Sequence, residues 1–391
     1  MKTAARMAHL APFYFASLND RLRALQTQGK EIIRLDIGSP DMPPAPHIIE
    51  ALARAASRAD AHGYQAHSGP PALRQAWADY YREQYQGALD PDLEILPLMG
   101  SKEGIFQLSQ AFLEPGDAAL APDPGYITYT RGALFSGARV YPIPLLAERN
   151  FQPDLDAIPP DDLRQARLLW LNYPNNPTGA SASLEVFQHA VAFAREHNLI
   201  VCHDAAYTQV FFNEKKPPSL LQVEGALEVA VEFNTLSKSH NMAGWRSAAL
   251  LGNRHVLRTL LTLKTNLDSS HFLPIFEASI AALRGDQSWL RERNAVYRGR
   301  RDAVLRGLEA AGLSAQTPEA AMYVWAKIPD GWDCQEFAVA ALENTGVSLT
   351  PGTVFGQGGA GYVRIALTAP VQRIELAMER LGKWFVSRKE G

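Results

Sequence analysis

The chain has 391 residues but only two cysteines, Cys202 and Cys334. They lie far apart and outside any Cys-x-x-Cys pair, which excludes a disulfide framework and a cysteine-based zinc site; no metal is expected. There is no uninterrupted apolar run of the roughly 18–20 residues that a bilayer-crossing helix needs, so no membrane span is expected. An excess of either charge is also missing. Lys and Arg total 38, Asp and Glu total 41, and the net charge is −3. A dedicated nucleic-acid binder would show a basic excess, so no nucleic-acid partner is expected. Lys2 and Arg6 ahead of the stretch 7–18 imitate a signal peptide, but His9, Pro12 and the lack of a small-residue cleavage site count against one. The expected location is the cytoplasm. Repeats and low-complexity tracts are absent as well. What is present is ordinary for a globular protein: 47% apolar and 20% charged residues, in a chain long enough to bury a large core.

A first helix is expected over 13–28, with Leu18, Leu22 and Leu25 at helical spacing and Gly29 as its stop. An extended run, 32–37, ends at Gly38 and leads into Pro40, Pro43, Pro44 and Pro46, which suit a linker. From there to about residue 280, helix patterns (47–57, 71–85, 102–113, 184–197, 253–263) alternate with short apolar runs (118–121, 140–143, 168–171, 199–202, 229–233, 248–251). This alternation predicts βαβ units and a largely parallel sheet covered on both faces, with ligands beyond the carboxyl ends of its strands. After residue 285 the pattern becomes a long polar helix (288–311), two strands (322–328, 362–367) with a helix between them (334–345), a Gly-rich loop (351–361) and a terminal amphipathic helix. That is the pattern of a smaller α+β unit.

Four motifs follow these strand-like runs. Met99-Gly100-Ser101-Lys102-Glu103-Gly104 opens a helix, with Ser101 expected at its N-cap. Helix N-termini offer unpaired N–H groups to phosphates, although most helix starts bind nothing. Asn172-Tyr173-Pro174-Asn175-Asn176-Pro177-Thr178-Gly179 is a turn dense in conformationally constrained and hydrogen-bonding residues. In His203-Asp204-Ala205-Ala206-Tyr207, strand alternation sets His203 and Asp204 on opposite faces. A carboxylate there is costly unless a cation meets it, whereas His203 suits a hydrogen-bonded packing role. The fourth, Thr235 to Arg246, carries Lys238 among small residues just past a strand. Loop lysines are usually solvated. One desolvated here would have a lowered pKa and act as an amine nucleophile, with Arg246 available to an anion.

Taken in order, Gly-Ser-x-Glu-Gly, Asn-Asn-Pro-Thr-Gly, Asp-x-x-Tyr and Ser-Lys-x7-Arg resemble the class I/II pyridoxal-phosphate-dependent aminotransferases of fold type I. The resemblance runs from Leu35-Asp36-Ile37-Gly38 to Val363-Arg364-Ile365-Ala366. Thr235 and Ser247 depart from the usual residues around the lysine. Within the family, Gly-Ser-Lys-Glu-Gly, His-Asp-x-Ala-Tyr, Gly285-Asp286-Gln287 and Glu292-Arg293-Asn294 are similar to the diaminopimelate, succinyl-diaminopimelate and alanine aminotransferase group.

The resemblance implies an α/β fold with a mostly parallel central sheet flanked by helices, plus a smaller α+β domain. Its implied spans are 1–46 for an N-terminal segment joining the small domain, 47–284 for a large cofactor-binding domain and 285–391 for the small domain. It implies pyridoxal 5′-phosphate bound covalently by Lys238, with Asp204 at the ring nitrogen and Tyr126 stacked on the ring. Tyr207 and Asn176 would meet the phenolic oxygen. The phosphate would take Ser101, Lys102, Thr235, Ser237 and Arg246, joined by Tyr64 from the second subunit of a homodimer. Arg364 would grip the substrate α-carboxylate bidentately, completed by Gly38 and Asn176. The implied reaction is ping-pong transfer of an amino group between an amino acid and a 2-oxo acid. The alternative is a C–S lyase or another eliminating enzyme on the same fold. A transcription regulator is not expected, since too little chain precedes Gly38 for a helix-turn-helix domain. No Gly-x-Gly-x-x-Gly follows an early strand, which counts against a nicotinamide-dependent oxidoreductase.

Overall fold

The computed structural model describes residues 2–10 and 14–387. Residues 12 and 13, which bear on the signal-peptide pattern and on the start of the first predicted helix, lie outside them. The described part of that helix is Tyr14–Thr27, and Gly29 follows at φ +81°, a conformation that suits glycine.

Among the described residues, a seven-stranded sheet forms the centre, in the spatial order Ile95–Leu98, Ala248–Gly252, Ala230–Thr235, Ile200–Asp204, Ala166–Leu171, Ala118–Asp123, Arg139–Pro144. The five strands from Ala230–Thr235 to Arg139–Pro144 pair in parallel. Four of them are largely buried on two faces, whereas the edge strand Arg139–Pro144 buries only Ile143. Trp170, Cys202, Val231 and Phe233 pack under the helices Ser101–Phe112, Thr128–Phe135 and Arg254–Lys264. Leu169, Leu171, Val201 and Ala230 pack under Leu184–His197. Each large apolar side chain so buried contributes about 1.5–3 kcal/mol, which is why the strands read as largely apolar runs.

The sheet is mostly parallel, as expected, with one reversed strand. Ala248–Gly252 runs antiparallel to both of its neighbours. A parallel return needs a crossover that spans the sheet, usually a helix, but residues 236–247 hold only the four-residue helix Leu236–Ser239 and a 3₁₀ turn. The chain therefore reverses, and Thr235 pairs with Ala248. This reversal brings Lys238 and Arg246 to the same end of the sheet. The strand expected at 229–233 is Ala230–Thr235 instead, because Val229 ends the short helix Ala226–Val229.

A second, antiparallel sheet has the order Thr350–Pro351, Tyr362–Ala366, Tyr323–Lys327, Ser314–Ala315. The helices Trp289–Ala310, Cys334–Thr345 and Val371–Ser387 build a core with it around Val304, Phe337 and Ile374. Ile33 and Leu35 enter that core, and the strand Ile33–Arg34 pairs in parallel with Val347–Ser348. Tyr207 and Val210, which follow a central strand, are also part of it. Among the described residues, no helix is long and apolar enough to cross a membrane.

Candidate active site

The carboxyl ends of the parallel strands open onto a cavity of about 610 Å³. Ser101, Lys102, Tyr126, Asn176, Asp204, Tyr207, Thr235, Ser237, Lys238, Arg246, Gly38 and Arg364 all line it. Of the residues that the resemblance assigns to the cofactor or the substrate, Tyr64 alone lies outside this lining. It follows the turn Ala59–His62 and is 93% exposed.

Lys238 sits on a single helical turn. Thr235 caps that turn by accepting from the Ser237 N–H (3.1 Å), and its own hydroxyl donates to the Ser247 carbonyl (3.1 Å). The Thr235 proton is thus spent within the turn. The Lys238 ammonium donates to the Gly38 carbonyl. Its pKa is pushed down to about 8, first by burial, then by the charges of Arg364 and Arg246, against the opposing pull of Asp204. A substantial neutral fraction at ordinary pH makes it a usable amine.

Asp204 ends its strand with a buried carboxylate whose pKa is raised, chiefly by desolvation. Oδ2 accepts from the Tyr129 hydroxyl (2.8 Å), and Oδ1 has no hydrogen-bond partner. Tyr129 is held in turn by stacking on Trp170 (4.9 Å, 13°), which touches Phe233. Such ring pairs add about 0.5–1.5 kcal/mol beyond burial. Asn172 donates to the Asp204 carbonyl (2.7 Å) and accepts from the Asn176 N–H (2.9 Å), so the Asn-rich turn is tied to the acidic strand end. His203 points away from the cavity, as alternation requires. It bonds Glu232 (2.8 Å) and the Tyr173 carbonyl (3.0 Å), a packing role.

Ser101 is not the N-cap expected from the sequence. Gly100 takes that place at φ +97°, and Ser101 is the first helical residue. That φ suits glycine rather than a residue with a side chain, and a Cβ there would also meet the Arg246 guanidinium at 2.1 Å. The Ser101 hydroxyl is buried without a partner, and Ser237 Oγ accepts from Arg246 at 3.4 Å.

Across the cavity, Arg364 donates to Asn176 Oδ1 (2.9 Å) and to the Asp36 carbonyl (2.7 Å). It lies 4.3 Å from the ring of Tyr323 and 4.7 Å from that of Phe355, with Nε unpartnered. Tyr323 also shares a hydrogen bond with Tyr207 (2.8 Å), and a Cβ on Gly38 would strike its hydroxyl at 2.4 Å. Tyr129, Tyr323 and Asp36 were not singled out from the sequence. Tyr129 had a signal, since it follows Tyr126 by three residues at a helix start and so shares its face.

These features fit pyridoxal 5′-phosphate. The unpartnered Asp204 oxygen suits a cationic ring nitrogen. The bare Ser101 hydroxyl beside a helix N-terminus and Arg246 suits a phosphate. An α/β fold with an amine, a buried carboxylate and an anion cradle at the strand ends defines a pyridoxal-phosphate enzyme of fold type I. The comparisons narrow the class. The model of the family described as aminotransferase class I and II matches residues 30–381, and the chain belongs to that family. It is 45% identical over 381 residues to the LL-diaminopimelate aminotransferase of Moorella thermoacetica, covering 97% of this chain and 98% of that one. Identity to the LL-diaminopimelate aminotransferase of Dehalococcoides mccartyi is 42% over 384 residues, covering 98% and 99%. Among solved structures, substrate-bound BacF from Bacillus subtilis matches with a TM-score of 0.95 at 35% identity, covering 98% of each chain. A probable N-succinyldiaminopimelate aminotransferase from Thermus thermophilus matches at 0.89 and 36%, covering 94% and 99%. The chain is a pyridoxal-phosphate-dependent aminotransferase acting on small amino and 2-oxo acids, and nothing supports the lyase alternative.

Proposed function

We propose that the amino donor is a diamino dicarboxylic acid of the LL-diaminopimelate type and that a 2-oxo acid such as 2-oxoglutarate or pyruvate accepts the amino group. The similarity to LL-diaminopimelate aminotransferases over nearly the whole chain supports the donor. The site assignment is supported by one observation: a lysine held near pKa 8, a carboxylate with a bare oxygen and a buried guanidinium line the same cavity.

When bound, pyridoxal 5′-phosphate supplies an aldehyde to take the amino group and a ring that accepts electrons from the substrate Cα. Asp204 would hold the ring nitrogen, Tyr126 the ring face, and Tyr207 with Asn176 the phenolic oxygen. The N–H groups of Ser101 and Lys102, the hydroxyls of Ser101 and Ser237, and Arg246 would hold the phosphate. Thr235 lines the same end with its hydroxyl turned to its own loop. Arg364, completed by Gly38 and Asn176, holds the α-carboxylate and so fixes which Cα bond faces the ring. Lys238 then takes the Cα proton with its neutral amine. An oxo acid reverses these steps, which gives ping-pong kinetics.

The division into 1–46, 47–284 and 285–391 belongs to this proposal, as do a cytoplasmic location and a homodimer in which Tyr64 of the partner subunit reaches the phosphate. The exposure of Tyr64 supports the last of these. A donor panel with 2-oxoglutarate or pyruvate tests the substrate. LL-diaminopimelate should exceed alanine, aspartate and aromatic donors in kcat/KM by at least about tenfold, the worth of one well-made polar contact. Equal or better turnover of a monocarboxylic donor would refute it. Intersecting double-reciprocal lines would refute the ping-pong scheme.

A further inference from the structure

Two motifs noted in the sequence, Gly285-Asp286-Gln287 and Glu292-Arg293-Asn294, have no part in the cavity. Arg293 is 4% exposed, and among the described residues it makes no ion pair with a carboxylate. Burying a guanidinium without an anion is costly, so its neutral partners must matter. Those partners are backbone carbonyls. Nη1 donates to Ser239 and to Lys238 (3.3 Å), and Nη2 donates to Gln209. Asn294 completes the set. Its Oδ1 accepts from Arg293 Nη2 (2.8 Å), and its amide donates to Gln209 (3.0 Å).

The choice of carbonyls is informative. Those of Lys238 and Ser239 end a four-residue helix and have no donor within it. So short a turn does not hold its own shape. Gln209 lies two residues beyond Tyr207, in the turn that leaves the Asp204 strand. The same guanidinium therefore grips both the turn carrying Lys238 and the turn carrying Tyr207. Gln287 adds a second tie. Its Oε1 meets His240 Nε2 (2.9 Å), His240 Nδ1 meets Ser239 Oγ (2.9 Å), and the Gln287 amide is anchored on the carbonyls of Ala282 and Gly285 (2.8 Å each). Burial pushes the Arg293 pKa down to about 10, which leaves it charged at working pH.

We propose that Arg293, with Asn294, is a positioning residue that clamps the Lys238 turn to the Asp204–Tyr207 turn and so sets where the lysine amine stands during proton transfer. The proposal rests on Lys238 being the working amine. Borohydride trapping of the wild-type holoenzyme, with the adduct mapped by mass, tests that separately.

The experiment uses Arg293→Lys, which keeps the charge but cannot reach three carbonyls, together with Arg293→Met and Asn294→Ala. Arg364 is untouched, so KM for the amino donor should stay within about threefold. A misplaced amine should lower kcat by about 10- to 100-fold. Amide hydrogen exchange on the cofactor-free proteins gives a second readout. Residues 236–242 and 205–210 should gain exchange together, while the central strands stay protected. A role in global stability alone would raise exchange everywhere and lower kcat and cofactor content together, and that result overturns the clamp. So would wild-type kcat and exchange in Arg293→Lys, or faster exchange in only one of the two turns. If Arg293→Met does not fold, Arg293→Lys and Asn294→Ala decide by the same criteria. A wild-type adduct on Lys238 with unaffected variants removes the clamp and leaves the proposed function standing.

Discussion

The cofactor-free protein holds Lys238 at a cost, and that cost has a measurable pH dependence. Its pKa falls from the ordinary 10.5 to about 8 in the folded chain. At about 1.4 kcal/mol per tenfold change, the charged form is disfavoured in the folded state by about 3 kcal/mol. Above the unfolded value both states are neutral, so there is no penalty. As pH falls towards 8, the unfolded chain takes up a proton that the folded chain refuses, and stability declines. Below about 8 both are protonated and the full penalty is present. Lys238→Met removes the titration and keeps the apolar stem, but it forfeits the bond to the Gly38 carbonyl. The neutral amine keeps an N–H for that bond, about 1 kcal/mol, and any charge-dependent part is already contained in the shifted pKa, so a comparison across pH cancels the rest. The stability gained by Lys238→Met should therefore be about 2 kcal/mol larger at about pH 7 than at about pH 9.5. Urea unfolding of the cofactor-free wild type and variant at both pH values gives the difference directly. An equal gain at both would show that burial and the Arg364 and Arg246 charges do not depress this lysine, and the argument for its neutral amine would fail.

Four shorter predictions concern its neighbours. Tyr129→Phe deletes the hydroxyl that donates to the Asp204 carboxylate and should cost about 1.5–3 kcal/mol in cofactor affinity, read by titrating the visible absorption band; unchanged affinity and kcat would count against it. Asp204→Asn should lower kcat by several orders of magnitude, since stabilising the charge that develops in the transition state usually contributes more to the rate than any other effect, and near-normal turnover with bound cofactor would rule out its role at the ring nitrogen. Arg364→Lys keeps the charge but loses the fork, so kcat/KM should fall by about 2–3 kcal/mol equivalent, and a change confined to thermal stability would contradict the carboxylate clamp. Mixing inactive Lys238→Ala chains with impaired Tyr64→Phe chains should restore part of the activity if sites are shared between subunits; no recovery despite proven subunit exchange would refute sharing.

The sheet and most of the cavity lining were legible because both follow local rules. Parallel strands buried on two faces must be largely apolar, and their ends carry the chemistry the fold supports, so the motifs holding Asn176, Asp204 and Lys238 stood out by position, and the resemblance supplied their roles. One local expectation failed, the N-cap at Ser101, and one detail, the direction of a strand, lay beyond the local pattern. Ala248–Gly252 looks like any other buried strand, and only the lack of a crossover before it reveals its reversed direction. Ser101 has the chemistry of an N-cap, yet Gly100 holds that position at a positive φ that suits glycine, with the Arg246 guanidinium from far along the chain packed against it.

Arg293 illustrates a deeper limit. Charged residues on a polar helix pattern such as 288–311 are ordinarily solvated; the resemblance marks Glu292-Arg293-Asn294 without giving it a role, and the helical pattern itself does not distinguish Arg293 from the exposed Arg291. Only burial separates them. Its hydrogen-bond partners outside its own helix are carbonyls, which every residue has, so no complementary side chain elsewhere in the sequence could betray the contact. Asp36 escaped notice in a similar way: it bonds Arg34 through its carboxylate but meets Arg364 through its backbone oxygen. Residues that touch the reacting groups must have particular side chains and can be read from their type. Residues that hold those groups in place can act through the backbone. The supporting layer of this site is therefore less legible in the sequence than the site itself, although the geometry of Lys238 depends on both.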